Sequence, residues 1–311
     1  MGGGNSGEGN YQKGIALAFI TALISGFSVF ANGIAVKLAD PSLYTFAKGI
    51  GALLFLVAAA FALKESRHFR NLSRRQWAML GLIGIVGGSM PFLMFFWGLS
   101  MGGAAISSFI YRSLFIFAAV SGYLILKETP SPRDFAAGFA ILIGNALLVS
   151  GDMVFGTGQL LVLGATVLWA LEYALSRRMM ADVHPRVVMV ARMGFGSIIL
   201  LGFLGFTGSL SALWSIDIAV LGWLAITSLL LFAFVTSWYS SLRYLPLVKA
   251  TAILALGGVI TAVLETVILA KTISPMASLG LLLVFAGAII AVGLPERIRA
   301  VIGKPHPGFV E

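Results

Sequence analysis

Cysteine is absent from this 311-residue chain. That excludes disulfides, thiolate zinc sites and thiol nucleophiles. Charge is scarce: 11% of residues are charged, against about a quarter in a soluble domain. The three histidines, His68, His184 and His306, fall in polar connectors or the tail, so a histidine metal site inside an apolar segment is excluded. All five aspartates also lie at the edges of apolar runs or between them. The paired aspartates, zinc spacing or Ser/His pair that an intramembrane enzyme needs are therefore missing, and no cofactor or metal is expected. No Walker A sequence occurs, so this chain alone is not an ATP-driven pump. No stretch alternates apolar and polar residues over about ten positions, which excludes a membrane β-barrel.

What remains is hydrophobic. Apolar residues make up 59% of the chain and mean hydropathy is +0.99. Such a chain cannot cover itself with polar surface in water, and disorder or a collagen-like or disulfide-rich scaffold is equally excluded. Runs of about 20 apolar residues mark membrane helices. Ten are predicted, over residues 14–36, 43–63, 76–99, 103–126, 134–150, 158–177, 187–206, 216–240, 247–270 and 275–294. The first lacks a small-residue cleavage site and is too long for a signal peptide. Residues 1–12 read as a flexible Gly-rich tail, and 295–311 as a tail on the cytoplasmic side.

A net charge of +9 in a soluble protein would suggest nucleic acid; here it follows the rule that membrane proteins collect Lys and Arg on cytoplasmic loops. With a cytoplasmic N-terminus, 16 of the 21 basic residues fall on inner connectors and tails. Lys37 and Lys271 fall outside, and Lys48, Arg112 and Arg192 inside spans. Both termini are thus expected in the cytoplasm, with an even number of spans.

The halves resemble each other. Pro41 and Pro185 are 144 residues apart, each followed seven residues later by a base, Lys48 or Arg192. LKETPSP and LAKTISP align Pro132 with Pro275 at 143, and AMLG (78–81) aligns with AVLG (219–222) at 141. A five-span repeat is odd-numbered, so the second copy enters the membrane from the opposite side. Such inverted repeats build secondary transporters, where two bistable halves give alternating access to a central site. The repeats are expected at 13–150 and 157–294.

Ten spans in a 5+5 arrangement and the junction LKETPSPRDFAAGFAILIGNALLVSG resemble the drug/metabolite transporter superfamily, and within it the EamA-repeat proteins. The second copy departs at Ala270–Lys271, where the family usually has an acidic residue. The resemblance implies an all-α transporter in a prokaryotic cytoplasmic (inner) membrane. It places a central cavity among the first four helices of each repeat, and leaves the substrate open. A monomer or weak dimer is expected, with the lipid bilayer and a small-molecule substrate as partners, protons as the candidate coupling ion and no nucleic acid.

Ionisable groups inside spans cost kilocalories unless they face a cavity or one another. Glu172 is deep in the sixth span and shares a face with Trp169 and Tyr173, at i, i+3 and i+4: a receptor for a cation, or a counter-ion for a neighbouring Arg. Arg112, mid-span with Ser108 and Tyr111, can grip a carboxylate, pair with Glu172 or bind free carbonyls of a neighbouring helix. Lys48 and Glu265, placed where they could pair, and Arg192, able to snorkel toward the inner face, are read first as structural and second as substrate contacts. Ser25, Ser28 and Asn32 form a polar stripe on the first span, and Trp238 shares a face with Phe234 and Ser241 on the eighth. Trp97 and Tyr239, near span ends, are interface anchors or substrate contacts. Gly87, Gly88 and Pro91 interrupt the third span and Gly257–Gly258 the ninth, as hinges or as close packing sites. Mixed Arg, Glu and aromatics suggest amino acids or related metabolites, with organic cations or drugs as the alternative, and the resemblance to EamA-type proteins implies export. A channel or lipid flippase is the competing class.

Overall fold

The computed structural model describes residues 4–148, 156–270 and 274–292, and the regular structure among them is helical. In chain order the helices are α1 (Gly4–Ala35), α2 (Pro41–Ala62), α3 (Arg74–Gly102), α4 (Ile106–Leu126) and α5 (Pro132–Leu148), then α6 (Thr157–Met179), α7 (Pro185–Phe206), α8 (Ile218–Leu242), α9 (Leu247–Leu269) and α10 (Pro275–Val292). Eight, α1–α4 and α6–α9, are long and apolar enough to cross a membrane; α5 and α10 are shorter. α1 is helical from Gly4, so residues 4–12 continue the first helix; residues 295–311 lie outside those described.

The prolines of the repeat start equivalent helices. Pro41 and Pro185 each stand at the first position of α2 and α7, where a missing N–H costs nothing. The residue before each caps the helix: Asp40 Oδ1 accepts from the Ser42 and Leu43 amides, and His184 Nδ1 from the Arg186 amide.

Helix pairing is the same in both halves. α1 packs on α8 as α6 packs on α3, and α1 on α9 as α6 on α4. The self-equivalent pairs run antiparallel. Leu43 and Phe46 at the start of α2 cluster with Leu200 and Leu204 at the end of α7. Gly144 near the end of α5 meets Gly280 near the start of α10, while Gly287 meets Ala137. Small residues permit these approaches. A Cβ on Gly88 of α3 would strike the Arg192 carbonyl of α7, and Gly98 faces the Gly158 carbonyl of α6. The glycine pairs of the third span are therefore packing sites.

Three helices are broken. In α3, residues Gly84–Ser89 form a π-helical turn. Pro91 has no N–H for the carbonyl four residues back, that of Gly87, which accepts from the Trp169 indole at 3.1 Å. α4 breaks at Ser113 and α9 at Ala255–Leu256, equivalent points of the fourth helix of each half. In α9 the Gly258 amide turns to Ala255 rather than Leu254. The released Leu254 carbonyl accepts from Arg112 Nη1 at 2.9 Å.

The outer surface is apolar. Leu54, Ile198 and Leu282 are more than 60% exposed on α2, α7 and α10, side chains that need lipid rather than water around them.

Candidate functional site

A cavity of about 470 Å³, counting its open mouth, lies between the two halves. α1 contributes Ser25, Ser28, Val29 and Asn32, the polar stripe read from sequence. α3 contributes Phe92, Phe95 and Phe96, at i, i+3 and i+4 just after the π turn. α6 adds Trp169 and Tyr173, α4 adds Tyr111, and α8 adds Leu231 and Phe234. α2 and α7 supply Lys48 and Arg192. The rings interlock: Trp169 lies 5.2–5.4 Å, centroid to centroid, from Phe92, Phe95 and Tyr111.

Arg192 does not snorkel. It is 1% exposed and its Nε donates to Glu172 Oε2 at 3.2 Å. Its guanidinium lies over the rings of Phe92 and Tyr239. Glu172 Oε1 accepts from Ser176 Oγ at 2.5 Å and from the Tyr239 hydroxyl. Tyr239 is therefore no interface anchor; it is wholly buried in this cluster.

Arg112 is not the partner of Glu172. Its guanidinium bonds to Ser25 Oγ at 3.2 Å and to the Leu254 carbonyl, with Ser108 Oγ at 3.5 Å, and Gly257 lies against it. Of the readings open to Arg112, the carbonyl-binding one describes its contacts.

Lys48 is not bonded to Glu265. It is 2% exposed; its Nζ donates to Asn32 Oδ1 at 2.8 Å and lies 4.5 Å from the Phe96 ring centroid. The same Asn32 oxygen accepts from the Tyr44 hydroxyl at 2.6 Å, and Tyr44 also bonds Thr227. Glu265 is buried on α9. Trp238 packs behind the cavity wall against Tyr173 and Phe234. Trp97 is partly exposed and donates to Ser42.

A second cavity, of about 590 Å³ counting its open mouth, lies further along α1, α7 and α8. Lys13 and Leu17 of α1, Arg186 and Met189 of α7, and Ser240 and Arg243 of α8 line it. Glu65, from a 3₁₀ turn after α2, reaches it and pairs with Arg186 at 2.8 Å. Between the two levels stand a Thr21–Ser237 hydrogen bond of 2.9 Å and the Glu172–Arg192–Tyr239 cluster.

This architecture has a family. The EamA-like transporter family model matches residues 12–150 and again 156–293. The chain belongs to the EamA-like transporter family. A solved crystal structure superposes with a TM-score of 0.74 over 92% of this chain and 99% of its own, at 18% identity, a likeness of fold alone. An uncharacterized transporter of Methanothermobacter thermautotrophicus is 28% identical over 151 residues, 41% of this chain and 44% of that relative. The chain is thus an integral membrane protein of this family, and the family resemblance read from its sequence is correct.

Within this EamA protein, the cavity unites Ser25, Asn32, Lys48, Tyr111, Trp169, Tyr173 and Arg192 of the residues singled out from sequence. Glu172, Tyr239, Ser108 and Arg112 form the layer behind them. Sequence reading missed Phe92, Phe95, Phe96 and Tyr44. The helical spacing of the three Phe directly after Pro91 was the available signal; for Tyr44 there was none beyond its place one turn before Lys48.

Proposed function

We propose that this EamA protein is a secondary transporter that moves small polar or amphiphilic metabolites, amino acids among them, out of the cell by alternating access at the central cavity. One observation carries the reading: a barrier of side chains stands between two cavities that share α1, α7 and α8, inside a fold whose self-equivalent helices run antiparallel. That is the geometry inverted repeats use to expose one site to either side. The charge asymmetry supports ten spans with both termini in the cytoplasm and a prokaryotic inner membrane, and the absence of paired catalytic groups supports transport over enzymatic chemistry. The test is uptake into proteoliposomes of a panel of amino acids, quaternary amines, sugars and phosphates, with and without a proton gradient. Saturable accumulation of one class is expected; non-saturable flux of every solute would indicate a channel instead.

A further inference from the structure

The two halves bury a cation at equivalent positions, and among the described residues only one of them has a counter-ion. α2 and α7 are in register at a spacing of 144 residues, Pro41 with Pro185 and Ala62 with Phe206, and α1 and α6 end at that spacing, Ala35 with Met179. Lys48 therefore corresponds to Arg192, Ser28 to Glu172 and Asn32 to Ser176. The wiring corresponds too. In the second half Ser176 bonds Glu172 one turn back, and Glu172 binds Arg192. In the first half Asn32 bonds the Ser28 hydroxyl one turn back at 3.0 Å and binds Lys48, but Ser28 carries no charge.

Among the described residues no carboxylate pairs with Lys48; it has a neutral amide oxygen and a ring face. Glu172 is not among the groups that touch Lys48; Arg192, Ser176 and Tyr239 hold it instead. A buried ammonium is costly without a counter-charge. The position where the repeat would place one, beside Ser28 and Lys48, opens into the aromatic-walled central cavity.

We propose that the substrate itself supplies this missing counter-ion. The ligand class is a singly charged carboxylate with a flat apolar body. Its carboxylate docks on Lys48 and the Ser28 hydroxyl, and its body lies among Phe92, Phe96 and Phe234. This deepens, and rests on, the transporter reading. Among the described residues that line the cavity none is a carboxylate, so an ammonium on the substrate weakens binding.

Three probes share one ring and differ in charge: 3-phenylpropionate, phenylalanine and phenethylamine. Binding to the full chain in lipid nanodiscs, read by calorimetry, is expected to fall in that order. Lys48→Met should weaken 3-phenylpropionate by about ten- to a hundredfold, the worth of a hydrogen bond to a charged group, and leave phenethylamine unchanged. Lys48→Arg should keep the preference for the carboxylate. Phenethylamine binding as tightly as 3-phenylpropionate overturns the proposal on wild-type protein alone, whatever the variants do. Equal loss of all three ligands in a folded Lys48→Met protein overturns it as well. Proteoliposomes separate the two readings: 3-phenylpropionate bound with the predicted charge order but never translocated would overturn transport while leaving the ligand assignment standing.

Discussion

Glu172 has both oxygens engaged by the protein itself, by Ser176, Tyr239 and Arg192, and this decides what the residue can do. A carboxylate so satisfied is half of a buried ion pair. Removing one partner of such a pair strands the other and costs about 3–5 kcal/mol, whereas removing both costs far less. Glu172→Gln and Arg192→Met are each expected to destabilise the protein by about that amount, and the double variant by less than either single one. Equilibrium unfolding in mixed micelles measures all three; additive losses would show that the two residues act separately. Sequence alone made Trp169, Glu172 and Tyr173 legible as a unit because helical spacing puts them on one face. It could not show which arginine meets Glu172. That choice is made by the close crossing of α3 and α7 at Gly88 and Gly196, which draws Arg192 inward, and by the break in α9, which offers Arg112 a carbonyl instead.

At the scale of the helix, breaks were easier to foresee than their use. The interruption at Gly87–Pro91 is visible in the sequence, but not that the freed Gly87 carbonyl would be held by Trp169 of the other half. Pro91→Ala restores an N–H that competes for that carbonyl. It should slow exchange across the membrane more than it weakens binding, measured as counterflow rate against affinity; an unchanged rate would reduce the π turn to packing. The cap of α7 makes a second prediction. His184 accepts the Arg186 amide through Nδ1, which requires a neutral ring. Its pKa is lowered from the usual 6.5, first by burial, then by the stacked His68 ring and by Arg243 and Arg186, against the opposing pull of Glu65. The unfolded chain therefore takes up the proton first. The contribution of neutral His184 is full above about pH 6.5 and is lost as pH falls from there toward its folded value. His184→Asn keeps a cap without the titration. The variant's melting temperature should decline less than that of the wild type between pH 7.5 and 5, and parallel declines would exclude His184 as the source.

For the whole molecule, the apolar runs and the prolines 144 residues apart foretold helices and a repeat, because both signals are local. The barrier was not legible, since it arises where α1 of one half meets α6, α7 and α8 of the other. That barrier has a consequence for access. Ser240 lines the second cavity, on the same ends of α7 and α8 as Arg186 and Arg243, which the charge rule assigns to the cytoplasm. Ser28 lines the central cavity, beyond Thr21–Ser237 and Glu172–Tyr239. The chain has no cysteine, so single thiols can be introduced without removing others. In vesicles of known sidedness, a membrane-impermeant thiol reagent on the cytoplasmic face should modify Arg70→Cys and Ser240→Cys quickly and Ser28→Cys slowly. Adding Tyr239→Phe deletes one bond of the barrier, a hydrogen bond to a charged group. If opening requires breaking that bond, the rate at Ser28→Cys from the cytoplasmic side should rise by about tenfold or more, while the rate at Ser240→Cys stays the same. Rapid modification of Ser28→Cys with Tyr239 intact would mean that the Glu172 cluster holds the helices together without closing the path between the two cavities.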